Sequence, residues 1–170
     1  MYTFELRAAT PADVDVYLEC FQSEEYCKYL EDSVPGAQRG VSVFSNTSER
    51  LNKYIVYWHN GPRPEKVGYI HISLSPQRTF CEIGGGLRPR YLNTGMGIYA
   101  CFYCISFIFR HFPGEIIKAS TFSDNSRSLR MLQALGFEHH PWKERRFRHQ
   151  LAALDLNNPF VKAIGRRVKV

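Results

Sequence analysis

Apolar and polar positions change rhythm several times along the chain, and each change marks an element. Tyr2–Ala9 reads as a strand. Thr10-Pro11-Ala12-Asp13 then opens a helix, with Thr10 as N-cap, Pro11 at the first helical position and Asp13 in the first turn. Val14, Tyr17, Leu18 and Phe21 keep its helical spacing, and a short acidic helix capped by Ser23 is expected over Ser23–Leu30. The pattern then weakens. Gly36 and Gly40 interrupt Val34–Phe44, and a helix is expected around Thr47–Asn52. Lys53–Trp58, Val67–Leu74 and Thr79–Leu87 form a β-meander, broken at His59-Asn60-Gly61-Pro62 and at Ser75-Pro76. A polar loop, Arg88–Thr94, leads into an apolar helix over Gly95–Phe112 that Pro113-Gly114 stops. Glu115–Thr121 is β-rich, and Ser123-Asp124-Asn125 begins a helix through Leu129, Leu132 and Leu135 to the C′-type Gly136. Phe137–Ala153 reads as two strands around Pro141. The order β α α β β β α β α β β, without repeats, predicts an α/β (α+β) sheet flanked by helices. One domain is expected over residues 1–155, followed by a basic tail over residues 156–170.

Composition narrows the class. With 170 residues, 44% hydrophobic and 14% aromatic, the chain has the make-up of a folded domain, not of a disordered or collagen-like one. Its longest strongly apolar run, Gly97–Phe109, is too short to span a membrane and suits a buried helix. The opening MYTFELRAAT lacks a basic stretch followed by an apolar one, so no export signal is expected. The cysteines, Cys20, Cys27, Cys81, Cys101 and Cys104, are odd in number and sit inside apolar patterns. That argues against a disulfide framework and for a cytoplasmic protein, where the sequon Asn46-Thr47-Ser48 has no meaning. Cys101-Phe102-Tyr103-Cys104 has C-x-x-C spacing, but it lies mid-helix and has no second ligand pair. It reads as small buried hydrophobes, and no metal is expected.

Charge is unevenly placed. Residues 143–170 hold eight Lys/Arg against two Asp/Glu, whereas residues 1–32 hold two against eight. The basic end is either a solvated strand and tail or a contact for RNA or the ribosome.

The chemistry lies in Glu82-Ile83-Gly84-Gly85-Gly86-Leu87 and the loop running to Gly97. Three glycines weaken a strand and uncover its backbone, as suits a ligand lying along the main chain. Gly95 and Gly97 then flank a helix start, where free amides favour phosphate. A β-bulge with an ordinary helix entry gives the same local pattern. No Gly-Lys-Ser/Thr occurs, which excludes a Walker loop. Gly95-Met96-Gly97-Ile98-Tyr99-Ala100 fits G-x-G-x-x-A, but it follows a meander and a long polar loop instead of a tight first βα turn. Further on, Asn125-Ser126-Arg127-Ser128-Leu129-Arg130-Met131-Leu132-Gln133-Ala134-Leu135-Gly136-Phe137 begins a helix just after a strand.

Together these segments resemble the acetyl-CoA-dependent N-acetyltransferase (GNAT) superfamily. There a Q/R-x-x-G-x-G/A loop grips the CoA pyrophosphate, and an N-x-x-S/A-x-x-L-x-x-x-G-F helix follows; here they match Leu92–Gly97 and Asn125–Phe137. The resemblance spans the chain to about residue 153. It implies the GNAT fold, a mixed, mostly antiparallel central sheet of about six to seven strands. It also implies transfer of an acetyl group from acetyl-CoA to a primary amine by direct attack in a ternary complex. The backbone of Gly85, Gly86 and Leu87 would bond the pantetheine arm like an added strand. Leu92, Asn93, Thr94, Gly95, Met96 and Gly97 would form the pyrophosphate loop, the amides from Asn93 onward cradling it. Asn125 and Ser128 would hold the pantetheine or the departing sulfur, and Arg88 and Arg90 would reach phosphates. Two positions depart from the pattern. Leu92 stands where Gln or Arg is usual, and Leu132 stands where many members place a tyrosine acid. The leucine resembles the branch that acetylates N-termini of ribosomal proteins.

Glu82 occupies the position of a general base in some members, and a carboxylate among apolar neighbours suits that work. His139 and His140 are further candidates for base or relay, although strand alternation turns only one of them inward. Glu19, Glu24, Glu25, Glu31 and Asp32, against Lys28 alone, would rim the acceptor pocket and favour a cationic amine, such as a protein N-terminus or a polyamine-like molecule. Two other readings stay open: an acyl-CoA-binding module without turnover, and a basic RNA- or ribosome-binding protein. Either a monomer or a homodimer is compatible with the sequence.

Overall fold

A computed structural model of the protein describes residues 3–30, 34–112, 116–140 and 149–155. Strand β1 (Phe4–Ala8) is followed by a 3-10 turn at Pro11–Asp13 and by helices α1 (Val14–Gln22), α2 (Glu24–Cys27) and α3 (Ala37–Ser45). Then come β2 (Leu51–Trp58), β3 (Glu65–Leu74), β4 (Phe80–Leu87), a 3-10 turn at Pro89–Tyr91, α4 (Met96–His111), β5 (Ile116–Phe122), α5 (Ser126–Ala134), β6 (Glu138–His140) and β7 (His149–Asp155). The body of the sheet is β1 to β5 in chain order, and β7 and then β6 continue it beyond β5. Every pairing is antiparallel except β4 with β5. The sheet is thus mixed and mostly antiparallel, with helices on both faces.

Strand alternation assigns the faces. Ile70, Ile72, Cys81, Ile83, Ile117 and Ala119 meet α4 and α5 through Met96, Ala100, Cys104, Ile105, Ile108, Leu132 and Leu135. On the opposite face Ile55 and Tyr69 meet Val16, Tyr17, Cys20 and Phe21 of α1, with Cys27, Val43 and Phe44 beside them. The first turn after β1 is fixed by Asp13, whose buried carboxylate accepts the Thr10 backbone N–H and hydroxyl, each at 2.8 Å, and pairs with Lys66 Nζ at 2.9 Å. Ser23 Oγ accepts the Tyr26 N–H at 3.3 Å, capping α2.

The chain departs from the sequence pattern at residues 33–50. A helix forms at Ala37–Ser45, not around Thr47–Asn52, and Leu51 and Asn52 already pair with Ser73 and Ile72. Gly40 is what lets α3 approach α1, since a Cβ there would stand 3.0 Å from the Tyr17 carbonyl oxygen. Backbone pairing with β3 decides the second stretch, because it satisfies groups that a short isolated helix would leave open. Cys104 is buried in α4 and Cys101 half-buried; burial pushes the Cys104 thiol up, as for an inert core residue. Among the described residues no helix is long and apolar enough to cross a membrane, and no group of three His, Cys, Asp or Glu could hold a metal. Glu31, Asp32, Pro113-Gly114, Glu115, Pro141, the basic run 143–148 and the tail 156–170 lie outside the described residues.

Candidate functional site

The site begins where two parallel strands part. The β4–β5 ladder runs from Phe80↔Ile116 to Ile83↔Ala119 and ends there, although β4 continues to Leu87 and β5 to Phe122. Gly84, Gly85, Gly86 and Leu87 pair with His71, Ile70, Tyr69 and Gly68 of β3 on one edge only. Their other edge lies beyond the end of the ladder to β5, where the Leu87 carbonyl accepts the Cys20 thiol at 3.6 Å, and an edge without a neighbouring strand is where an extended, amide-bearing ligand can join a sheet.

The wide end of the opening meets two helix starts. Asn93 and Gly95 have φ of 61° and 80°, so the chain turns sharply before α4. The positive φ at Gly95 favours glycine, and a Cβ there would meet nothing within 4 Å. Asn93, Thr94 and Gly95 are all exposed. The first N–H groups of α4 have no carbonyl within their own helix. Thr94 Oγ1 donates to the Tyr91 carbonyl at 2.8 Å and receives the Met96 N–H at 3.3 Å, fixing the turn. Leu92 is half-buried just before it. Gly97 faces Leu87 and Met131, so the turn, the end of β4 and α5 converge. Asn125 is buried, and its Oδ1 accepts the Ser128 N–H at 3.2 Å as the N-cap of α5. Its oxygen is therefore committed to the helix, and its amide Nδ2 remains as a donor. Leu132 is a core residue, so α5 offers no hydroxyl from that position.

On the α1 face of β4 the side chains are Glu82, none at Gly84, and none at Gly86. A Cβ at Gly84 would meet nothing within 4 Å, whereas one at Gly86 would lie 2.3 Å from Tyr26 Cε2. A hollow over Gly84 is thus bounded by Glu82 on one side and by Tyr26 on the other. Glu82 is exposed, not set among apolar neighbours as the sequence suggests. It accepts the Ser120 hydroxyl at 3.2 Å and stands in register with Lys118. Beside Gly84, His71 shares a 2.9 Å hydrogen bond with the Tyr17 hydroxyl and stacks on that ring at 5.6 Å. Burial, and then Lys53 nearby, push its pKa down to about 4. The Tyr26 and Tyr69 hydroxyls lie 2.5 Å apart, and burial raises both pKa values, so both remain protonated. Sequence reasoning missed Tyr26, Tyr69 and His71. The period-two pattern of β3 puts Tyr69 and His71 on one face, but not beneath which helix.

The surrounding charges are more committed than the sequence implies. Arg88 is held by carboxylates of α1. Its Nε donates to Glu19 Oε2 at 2.6 Å, a second nitrogen contacts the same oxygen, and NH1 reaches Asp15 at 3.4 Å. Arg127 NH1 donates to Asn93 Oδ1 at 2.7 Å and to Glu25 Oε1 at 3.1 Å. Glu19 and Glu25 are therefore partly neutralised, while Glu24 remains an exposed carboxylate of α2. Arg90 lies over the Tyr91 ring at 5.0 Å. His139 and His140 lie on β6.

The sequence profile of the acetyltransferase (GNAT) domain matches residues 3–138. Among solved structures, the fold is similar to that of a GNAT-family acetyltransferase from Bacillus anthracis, with a TM-score of 0.73, 18% identity, and 89% of this chain and 94% of that one covered. It is similar to spermidine N-acetyltransferase from Vibrio cholerae in complex with CoA and spermine, with a TM-score of 0.73, 10% identity and 89% and 95% covered. A third similar structure is an aminoglycoside acetyltransferase in complex with coenzyme A, with a TM-score of 0.72, 16% identity and 90% and 95% covered. No curated protein matches the sequence significantly.

Proposed function

The chain belongs to the GNAT acetyltransferase family, and on that premise we propose that it moves an acetyl group from acetyl-CoA to a cationic primary amine. The observation that supports this most is the parting of β4 from β5 after Ile83↔Ala119, with the glycine backbone of β4 along it and the open turn at Gly95 at its end. In this reading the backbone of Gly85, Gly86 and Leu87 bonds the pantetheine arm. The loop Leu92–Gly97, with the amides of Asn93, Thr94, Gly95, Met96 and Gly97, holds the pyrophosphate. Nδ2 of Asn125 and the hydroxyl of Ser128 face the pantetheine end or the sulfur.

The amine enters over Gly84. Loss of a first proton from the ammonium frees the nitrogen lone pair, which attacks the thioester carbonyl carbon; the C–N bond forms, the C–S bond breaks, and the departing thiolate takes up the second proton that the nitrogen loses. Glu82 takes the first proton, directly or through water, and β4 amides polarise the carbonyl oxygen. Glu82 suits the task because it borders the hollow and is held by Ser120.

The acceptor class rests on charge. Glu24, Glu25 and Glu82 are exposed carboxylates on this side of the sheet, a setting that suits an ammonium group. Two cationic acceptors fit, a peptide N-terminus and a polyamine-like molecule. The Asn125–Phe137 pattern supports the first, and the spermine-bound relative supports the second. Differential scanning with acetyl-CoA tests the donor site, because a ligand of the native state raises the melting temperature. Wild type should show a rise that Gly95→Val abolishes. A folded Gly95→Val protein with an undiminished rise would remove the loop from the site.

A further inference from the structure

Arg127 bridges three elements at the mouth of the opening. One terminal nitrogen donates both to Asn93 Oδ1 in the turn before α4 and to Glu25 Oε1 in the first turn of α2. The other three N–H groups of the guanidinium take no part in either bond. The two bonds differ in kind. The 2.7 Å bond to Asn93 fastens the guanidinium beside the turn whose open side faces the proposed pyrophosphate. The 3.1 Å contact with Glu25 crosses the mouth between side chains that are 37% and 52% exposed, and an ion pair so wet is weak. A pyrophosphate offers paired oxygens that match the guanidinium fork, with more negative charge than one carboxylate.

We propose that Arg127 is a binding residue that exchanges partners, leaving Glu25 for the pyrophosphate of acetyl-CoA while Asn93 keeps it at the cradle. The inference rests on the CoA-binding reading above. Glu25 is then a competitor for the arginine, not a brace. Because Glu25 adjoins Tyr26, whose ring lies on Gly86, the exchange connects the donor loop to the acceptor face. It also compensates for Leu92, since a cationic fork reaches the cradle from α5 instead of from the start of the loop.

Calorimetric titration of CoA, without acceptor, reads the exchange by sign. Removing a competitor strengthens binding, so Glu25→Gln should tighten CoA about 2- to 5-fold. Arg127→Gln should weaken it about 10-fold, with Arg127→Lys in between. In the double variant the gain from Glu25→Gln should vanish, because nothing is left to compete for. Dephospho-CoA retains the pyrophosphate and should show the same pattern. A merely structural ion pair predicts the opposite sign. If Glu25→Gln leaves CoA binding unchanged or weaker, or if the gain persists without Arg127, the exchange does not occur. A pattern lost with dephospho-CoA would overturn the pyrophosphate as the partner. Wild type that fails to bind CoA would remove the reading beneath the inference, an outcome distinct from all of these.

Discussion

His71 is the residue whose environment has the clearest consequence. Its folded pKa is about 4 and its unfolded value is near 6.5, so the unfolded chain takes up the proton first. The stabilisation is fully present above pH 6.5 and is lost as pH falls toward 4, amounting to roughly 3 kcal/mol at most. Urea titrations of wild type and His71→Gln at pH 7 and pH 4 should show the wild type losing more, by up to that amount; equal losses would mean the imidazole is not buried uncharged. Glu82 makes the matching statement about activity. Glu82→Gln should lower kcat about 100-fold and leave CoA affinity unchanged. Steady-state rates equal to wild type would assign the proton to water or to another group. The sequence marked Glu82 because it sits on the glycine-bearing strand. It could not mark His71, whose significance arises only once β3 lies under Tyr17.

At the scale of elements, β4 determines the site, and its two outer glycines do different work. Gly84 leaves a hollow and Gly86 accommodates Tyr26. Gly84→Val should fill the hollow and raise KM for the amine several-fold with little change in CoA binding, while Gly86→Val should destabilise the fold by about 1–3 kcal/mol as the Tyr26 ring is forced out. Melting curves and amine titrations of the two proteins distinguish these roles. If Gly84→Val impairs CoA binding instead, the hollow belongs to the donor side. Most elements were legible in the sequence because their signals are local. Thr10-Pro11, the glycine run, and the Asn125 cap with Gly136 each fix a boundary within a few residues. Helix α3 was not, because Gly40 looks like a helix breaker until α1 is seen packed against it. The parting of β4 and β5 was not legible either; it is a tertiary register and leaves no local mark.

The whole molecule sets its charges around the mouth, and here the sequence overstated the acidic rim. Formal counts ignore pairing, and Arg88 and Arg127 come from the far side of the chain to meet Glu19 and Glu25. Glu19→Gln should therefore cost stability, about 1–3 kcal/mol, because Arg88 is only 14% exposed and loses its main acceptor. Glu24→Gln should leave stability alone and reduce the salt-sensitive part of kcat/KM for a cationic amine. If Glu24→Gln leaves the salt dependence unchanged, α2 does not steer the acceptor. The central claim is transfer from acetyl-CoA in the β4–β5 opening to such an amine. Its most direct test is thiol release from acetyl-CoA, with mass analysis of the acceptor, across polyamines and short peptides with free N-termini. The account predicts release that depends on a cationic amine, an acceptor heavier by one acetyl group, and loss of both in Gly95→Val. Acetyl-CoA that binds to the protein yet yields no thiol with any amine of the panel would contradict it.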